Sequence, residues 1–229
     1  MNHKRRIIGV AFLAALVCAF FVPLAGLRAD TSYLLIQGGF GAGGATETYK
    51  WQVDYPTGAL QSGLDLLSTV FGTPSPAGTY TNAFGEIYPY WVAGNSTLGA
   101  AYIDYGTDPS QLTEPFLVSV TVDSVTLTQA TDYSPGWVYY VGNGAGAWTV
   151  ATVGVETREL SNGSYDGWVF GATNPYGSPV TFVTGSTNTP TTANFSNAMI
   201  VDLTPEPTSA VMLVLGTGGL LGLSRRRRP

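Results

Sequence analysis

Two long uncharged apolar runs, one at each end and each bordered by basic residues, restrict this chain more than any other feature. Lys4-Arg5-Arg6 precedes a run from Ile7 to Leu27, and a second run, Thr208 to Ser224, precedes Arg225-Arg226-Arg227-Arg228. The seventeen residues of the second run would form a helix of about 26 Å at roughly 1.5 Å per residue, against a hydrocarbon core of about 30 Å. Snorkelling flanks or local thinning of the bilayer closes such a gap. The four arginines resist translocation and hold that end on the cytoplasmic side. The stretch left to fold in water is 30–204.

Residues 1–29 read as a secretory signal peptide, with a charged n-region, an apolar h-region and Arg28-Ala29-Asp30 at its end. Cleavage is expected after Ala29, although Leu27 is larger than the residue usually found there. An uncleaved anchor is the alternative, because the run is long enough to span. Cys18 does not read as a lipidation site: Val17 stands where a small residue belongs, and the apolar run continues past the cysteine. Basic residues at both ends put both termini of the precursor in the cytoplasm and the intervening chain outside.

Pro205-Glu206-Pro207 stands immediately before the second apolar run. Two prolines fix φ and remove two backbone donors, so this segment is extended and cannot continue a helix. A protease or transpeptidase requires such a peptide. The order of motif (205–207), apolar helix (208–224) and basic tail (225–228) resembles the PEP-CTERM sorting signal of bacterial exported proteins. The resemblance covers residues 205–229. It implies that an exosortase-type membrane transpeptidase recognises Pro205, Glu206 and Pro207, while Arg225, Arg226, Arg227 and Arg228 retain the precursor in the inner membrane. It also implies a mature form at the cell surface or in the matrix of a bacterium that makes extracellular polysaccharide. An ordinary C-terminal anchor shares the layout. Leu203-Thr204-Pro205-Glu206-Pro207 is not the Leu-Pro-x-Thr-Gly of a cell-wall signal, and a lipid-anchor signal would lack the basic terminus.

Between Asp30 and Pro207 only Lys50 and Arg158 are basic, whereas all fifteen Asp and Glu lie there, a net charge of −13. Such a surface repels nucleic acid and anionic lipid. The exported stretch has no cysteine and no histidine, since Cys18 and His3 lie in the signal. Ser-His-Asp and Cys-His catalysis are excluded, as are zinc sites built on those ligands. No cofactor is expected. Asp104 to Asp108 and Asn162 to Asp166 carry oxygen atoms of the kind Ca²⁺ takes, but neither matches an EF-hand loop.

Periodicity points to β structure. Tyr49, Trp51 and Val53 alternate, as do Phe116, Val118, Val120 and Val122, after which the phase flips to Val125 and Leu127. A turn or bulge is therefore expected near Asp123-Ser124. Trp137 to Val141 and Trp148 to Val155 read as strands joined across Gly142 to Gly146, and Ala198 to Leu203 as a last strand. Gly38 to Gly44 formally contains a dinucleotide-binding glycine pattern, but a strand follows it instead of a helix, so it reads as a loop. Gly72 to Tyr90 reads mostly as loop, and 172–197 is rich in Thr, Asn, Pro and Gly with one short apolar run, Val180 to Val183. Leu60, Leu64, Leu67 and Phe71 share one helical stripe, ended by Gly72 and Pro74. The expected fold is mainly β, antiparallel and sandwich-like or a β-rich α+β arrangement, with one short amphipathic helix near 60–71.

Gly136-Trp137-Val138-Tyr139 and Gly167-Trp168-Val169-Phe170 look alike and suggest equivalent strands of neighbouring hairpins. The order strand, Leu-rich helix, strand, Gly-Trp-Val-Tyr-Tyr-Val is also faintly similar to small ligand-binding domains related to the C-terminal half of transcobalamin. That likeness implies a small-ligand-binding domain and carries over no contact residues.

For chemistry, Trp51, Trp91, Trp137, Trp148 and Trp168 either stack on sugars or fill the core. Glu86, Glu114, Glu156 and Glu159 are the carboxylates from which a glycosidase pair would be drawn, and no spacing singles out two. The sequence thus points to an exported, non-enzymatic surface or matrix protein that contacts glycans through aromatic residues. A carboxylate-dependent glycan hydrolase and a small-ligand-binding domain are the alternatives.

Overall fold

The structure is a computed structural model describing residues 29–106, 108, 110–130, 135–142, 147–172 and 195–204. The signal peptide up to residue 28, the run Val180–Val183, the middle of the 142–146 connection and everything from Pro205 onward lie outside these residues. Among them, no helix is long and apolar enough to cross a membrane.

The described chain is mainly β. In order it forms β1 (Ala29–Gly38), β2 (Glu47–Pro56), helix α1 (Gly63–Phe71), β3 (Ser75–Thr81), β4 (Ile87–Gly94), β5 (Leu98–Asp104), β6 (Pro115–Val122), β7 (Val125–Thr128), β8 (Gly136–Gly142), β9 (Trp148–Val150), β10 (Ser164–Ala172) and β11 (Met199–Asp202). Two sheets result, one in the order β11-β2-β1-β10-β8-β9 and the other β3-β4-β5-β6-β7.

The second sheet is an antiparallel meander. Its β6–β7 turn explains the phase flip: Asp123 and Ser124 have φ of 49° and 67°, and Val122 pairs with Val125. Positive φ at both central residues is what a two-residue hairpin of matching twist demands. The stretch Gly72–Tyr90, expected mostly as loop, supplies β3 and the start of β4. Strand β3 is almost wholly exposed, so it carries no apolar alternation to read. Its position at the sheet edge, with a bulge between Pro76 and Gly78, is where proline and glycine are tolerated in a strand.

The first sheet is mixed, where antiparallel pairing was expected. Strand β1 runs parallel to β10, and β2 parallel to β11. The whole second sheet is inserted in the chain between β1 and β10, which supplies the long crossover that parallel neighbours require. Strands β1 and β2 oppose each other: Thr31 donates to Asp54 (2.6 Å) at one end, and Thr48 donates to Gln37 (3.4 Å) at the other.

The helix begins at Gly63, later than the stripe from Leu60 suggests, because a capping box fixes its start. Ser62 accepts from the Asp65 N–H (3.2 Å) and the Asp65 carboxylate accepts from the Ser62 N–H (2.9 Å). Gly72 ends it at φ 97°, its N–H donating to Ser68 O at 2.9 Å. Leu66, Leu67 and Phe71 enter a single apolar core with Leu34, Trp51 and Trp168 of the first sheet and Trp91, Tyr102 and Val120 of the second. The sheets therefore stack in a sandwich-like manner with α1 contributing to their common core.

Candidate functional site

The two look-alike segments are direct neighbours. In the β8–β10 pair, Trp137 opposes Phe170, Val138 opposes Val169 and Tyr139 opposes Trp168. Alternation sends Trp137, Tyr139, Trp168 and Phe170 toward the common core, where Tyr139 and Trp168 stack with centroids 4.1 Å apart. Val138, Tyr140 and Val169 form a smaller cluster on the opposite face.

A cleft of about 280 Å³ opens beside this aromatic layer. Its walls include Leu67 of α1, Tyr102 of β5, Phe116 of β6, Trp137, Tyr139 and Trp168. Another wall is 150–155, where the structure corrects the expected strand Trp148–Val155. The strand stops at Val150, and the chain turns away from the sheet to meet α1. The Val155 and Arg158 carbonyls accept from the Leu64 and Gly63 N–H groups, both at 3.0 Å. Two helix-start donors that lack partners within the helix are thus satisfied by this loop. Val155 is buried, while Val150 and Val153, 47% and 49% exposed, make an apolar rim.

Two residues that line the cleft also carry polar atoms buried in the core. Tyr102 Oη and Trp137 Nε1 are buried and have no hydrogen-bond partner among the described residues. Burial pushes the Tyr102 hydroxyl well above its ordinary range, so it stays protonated. Trp91 and Trp148 also have unpartnered indole N–H groups, but neither lines the cleft.

Behind Tyr139 lies Asp166, a carboxyl group whose ordinary acidity is weakened by burial. Asp166 is fully buried, accepts from Tyr139 Oη at 2.8 Å, and has Arg158 Nε 3.4 Å from Oδ1. That ion pair lacks hydrogen-bond geometry, since neither Arg158 Nε nor Asp166 Oδ1 counts a hydrogen-bond partner. Burial raises the Asp166 pKa to about 6 despite the opposing Tyr139 bond and Arg158 charge. Gly63 covers the pair: a Cβ there would lie 2.8 Å from Asp166 Oδ2 and 2.9 Å from Tyr139 Oη. Tyr139 is itself raised by burial first and by Asp166 second.

The tryptophans considered for sugar stacking divide unequally. Trp51, Trp91, Trp137 and Trp168 are only 3–5% exposed and belong to the common core. Trp148 is half-buried on β9, edge-on to Tyr165 at 6.2 Å. Tyr165 stacks on Tyr33 at 4.4 Å, and Phe195 lies 4.8 Å from Tyr33.

The stretches considered for Ca²⁺ spend their oxygens on hydrogen bonds within the fold. Asp104 Oδ1 accepts from the Gly106 and Glu114 N–H groups at 2.9 and 3.0 Å, Asp108 caps Ser110, and Asn162 Oδ1 accepts from the Thr31 N–H. Among the described residues, no group of three or more carboxylates gathers in a way that would hold a metal ion. Of the glycosidase candidates, Glu86 is bound by Asn82 and Tyr88, which lower its pKa, whereas burial raises that of Glu156.

Sequence reasoning missed Tyr102 and the Tyr139–Asp166–Arg158 group. The paired Gly-Trp-Val segments were the available signal for Tyr139; nothing marked Tyr102. No protein-family model, curated protein or solved structure matches the chain.

Proposed function

We propose that this chain is an exported, non-enzymatic binding protein of the cell surface or extracellular matrix, delivered by an exosortase-type transpeptidase. The observation that carries the binding part is the chemistry of the cleft wall, which among the described residues contains no Asp, Glu, Lys, Arg, His or Cys. Its ionisable groups are Tyr102 and Tyr139, both held neutral by burial. A site so equipped can enclose and orient a molecule but has no acid, base or activated nucleophile with which to turn it over. Asp166, protonatable near pH 6, offers the cleft no acid, because it is sealed beneath Gly63 and engaged by Tyr139.

The export part is supported by the sequence: Pro205-Glu206-Pro207, the apolar run and the four arginines. The inner-membrane precursor is held by Thr208–Ser224 until the enzyme acts at the motif. Contact with extracellular polysaccharide is a second reading, and the patch of Tyr33, Tyr165, Phe195 and Trp148 favours it.

Glu206→Ala should leave full-length precursor in the inner-membrane fraction and deplete the surface form. Immunoblotting of fractionated cells reads this directly. Release of the variant at the normal level would remove the sorting half of the proposal.

A further inference from the structure

We infer that, in the tethered precursor, the outer face of the first sheet rests on the bilayer surface at the end where the chain exits, against zwitterionic headgroups. The inference rests on the export reading and adds an interaction surface to it.

Both β1 and β11 open to the rest of the chain at one end of the sheet. Strand β11 finishes at Asp202, which pairs with Asp54 of β2, and Asp54 accepts from Thr31 near the start of β1 (2.6 Å). Two strand spacings, about 10 Å, separate the exits. The connections beyond them are short. The apolar run that starts at Thr208 lies six residues past Asp202, a reach of about 20 Å at full extension. The run that ends at Leu27 stops two positions before β1 begins. A membrane that holds either run therefore lies close to this end of the sheet.

The side chains there suit that neighbour. Leu34, Trp51, Val53 and Trp168 enter the common core, so alternation puts Tyr33, Gln52 and Tyr165 on the opposite face. Strand register extends them into a row. Ile200 pairs with Gln52, Tyr33 with Tyr165, Tyr165 with Gly142, and Gly142 with Trp148. Gly142 lets Trp148 join the row, since a Cβ there would lie 3.1 Å from both Trp148 Cε3 and Tyr165 Cβ. Phe195 lies against Tyr33 and Tyr165. Ile200 is 69% exposed and the aromatic residues are half-buried. Tyrosine and tryptophan, apolar in body and polar at the tip, favour the headgroup level of a bilayer. Ile200 gains by leaving water. Asp54 and Asp202 border the row, and the exported stretch carries −13, so anionic lipid is disfavoured and a zwitterionic surface fits. Severing the tether frees the same row for contact with polysaccharide.

The test reconstitutes the full chain in phosphatidylcholine vesicles. A nitroxide on Ile200→Cys, in a Cys18→Ser background, should lose most of its collisions with a water-soluble nickel chelate. The same label on Glu47→Cys, exposed at the other end of β2, should keep them. Phosphatidylcholine brominated in its acyl chains should quench tryptophan emission, and Trp148→Phe should remove that quenching. The other four tryptophans are only 3–5% exposed and belong to the common core. A chain that floats with the vesicles yet meets the chelate equally at 200 and 47 would overturn the inference and leave the anchoring intact. Quenching that survives Trp148→Phe would do the same. Equal shielding at 200 in phosphatidylglycerol vesicles would overturn the choice of headgroup. A chain that fails to float would overturn the anchoring itself.

Discussion

Raising the pH from 4 to 7 is expected to cost the domain stability through Asp166, and replacing Asp166 with Asn should remove that dependence. The carboxyl group is fully buried on β10, with Tyr139 Oη at 2.8 Å and Arg158 Nε at 3.4 Å. Tyr55 also senses its charge, and Glu156 adds to the field at Tyr139. Desolvation outweighs the two favourable partners, so the folded protein keeps the proton up to about pH 6, whereas an ordinary aspartate releases it near 3.8. Between those values folding takes up a proton. The contribution is therefore complete below about pH 4 and is lost as pH rises through about 6. The gap from 3.8 to about 6 corresponds to roughly 3 kcal/mol at about 1.36 kcal/mol per pH unit. Asn keeps an acceptor for Tyr139 and cannot titrate. Urea denaturation of both proteins across this range isolates the effect, because exposed groups with lowered pKa values, Glu86 and Asp108, are common to both. Parallel pH curves for the two proteins would contradict this account of Asp166.

Gly94→Ala should be among the most destabilising single substitutions in the domain, by about 4 kcal/mol or more. Gly94 ends β4 at φ 87°, where an added side chain costs roughly 1–2 kcal/mol in backbone strain alone. Space adds more. Its Cβ would lie 2.2 Å from Leu98 O, 2.7 Å from Gly99 Cα and 2.9 Å from Phe71 O. All three are backbone atoms, so no rotamer change relieves the clash. They also tie the β4–β5 turn to the end of α1, and Asn95 stiffens that turn by accepting from the Thr97 and Leu98 N–H groups. Gly85→Ala is the matched control: φ is 82° and nothing lies within 4 Å of its Cβ. It should lose only the strain term. Similar urea midpoints for the two variants would show that crowding at Gly94 contributes little.

Much of the fold was legible where one local rule acts alone. The alternation from Phe116 to Val122 and its reversal at Asp123-Ser124 gave a hairpin, because residue period and turn both reside in adjacent residues. The stripe of Leu64, Leu67 and Phe71 gave the helix, and Gly72 its end. Legibility failed where structure depends on distant partners. Nothing near Tyr33 says that β1 lies parallel to Tyr165 and its neighbours, more than a hundred residues on. Strand β3, Ser-Pro-Ala-Gly-Thr-Tyr-Thr, carries no apolar alternation, and only β4 makes it a strand. Trp148 to Val155 kept a strand-like composition, but the start of α1 recruits the Val155 carbonyl and bends the chain away. The site was legible to the same limited extent. Trp137 and Trp168 could be paired by their look-alike surroundings, yet whether an indole faces solvent or core is settled by the opposing sheet. Asp166 was visible only as one more acidic residue near a turn, since its burial depends on Gly63, a hundred positions earlier.

Intact-mass measurement of the polypeptide recovered from the surface of cells that possess an exosortase-type enzyme tests the delivery claim most directly. The account predicts a species lacking the apolar run at 208–224 and all four terminal arginines. A surface species that still ends in Arg225-Arg226-Arg227-Arg228-Pro229 would contradict it.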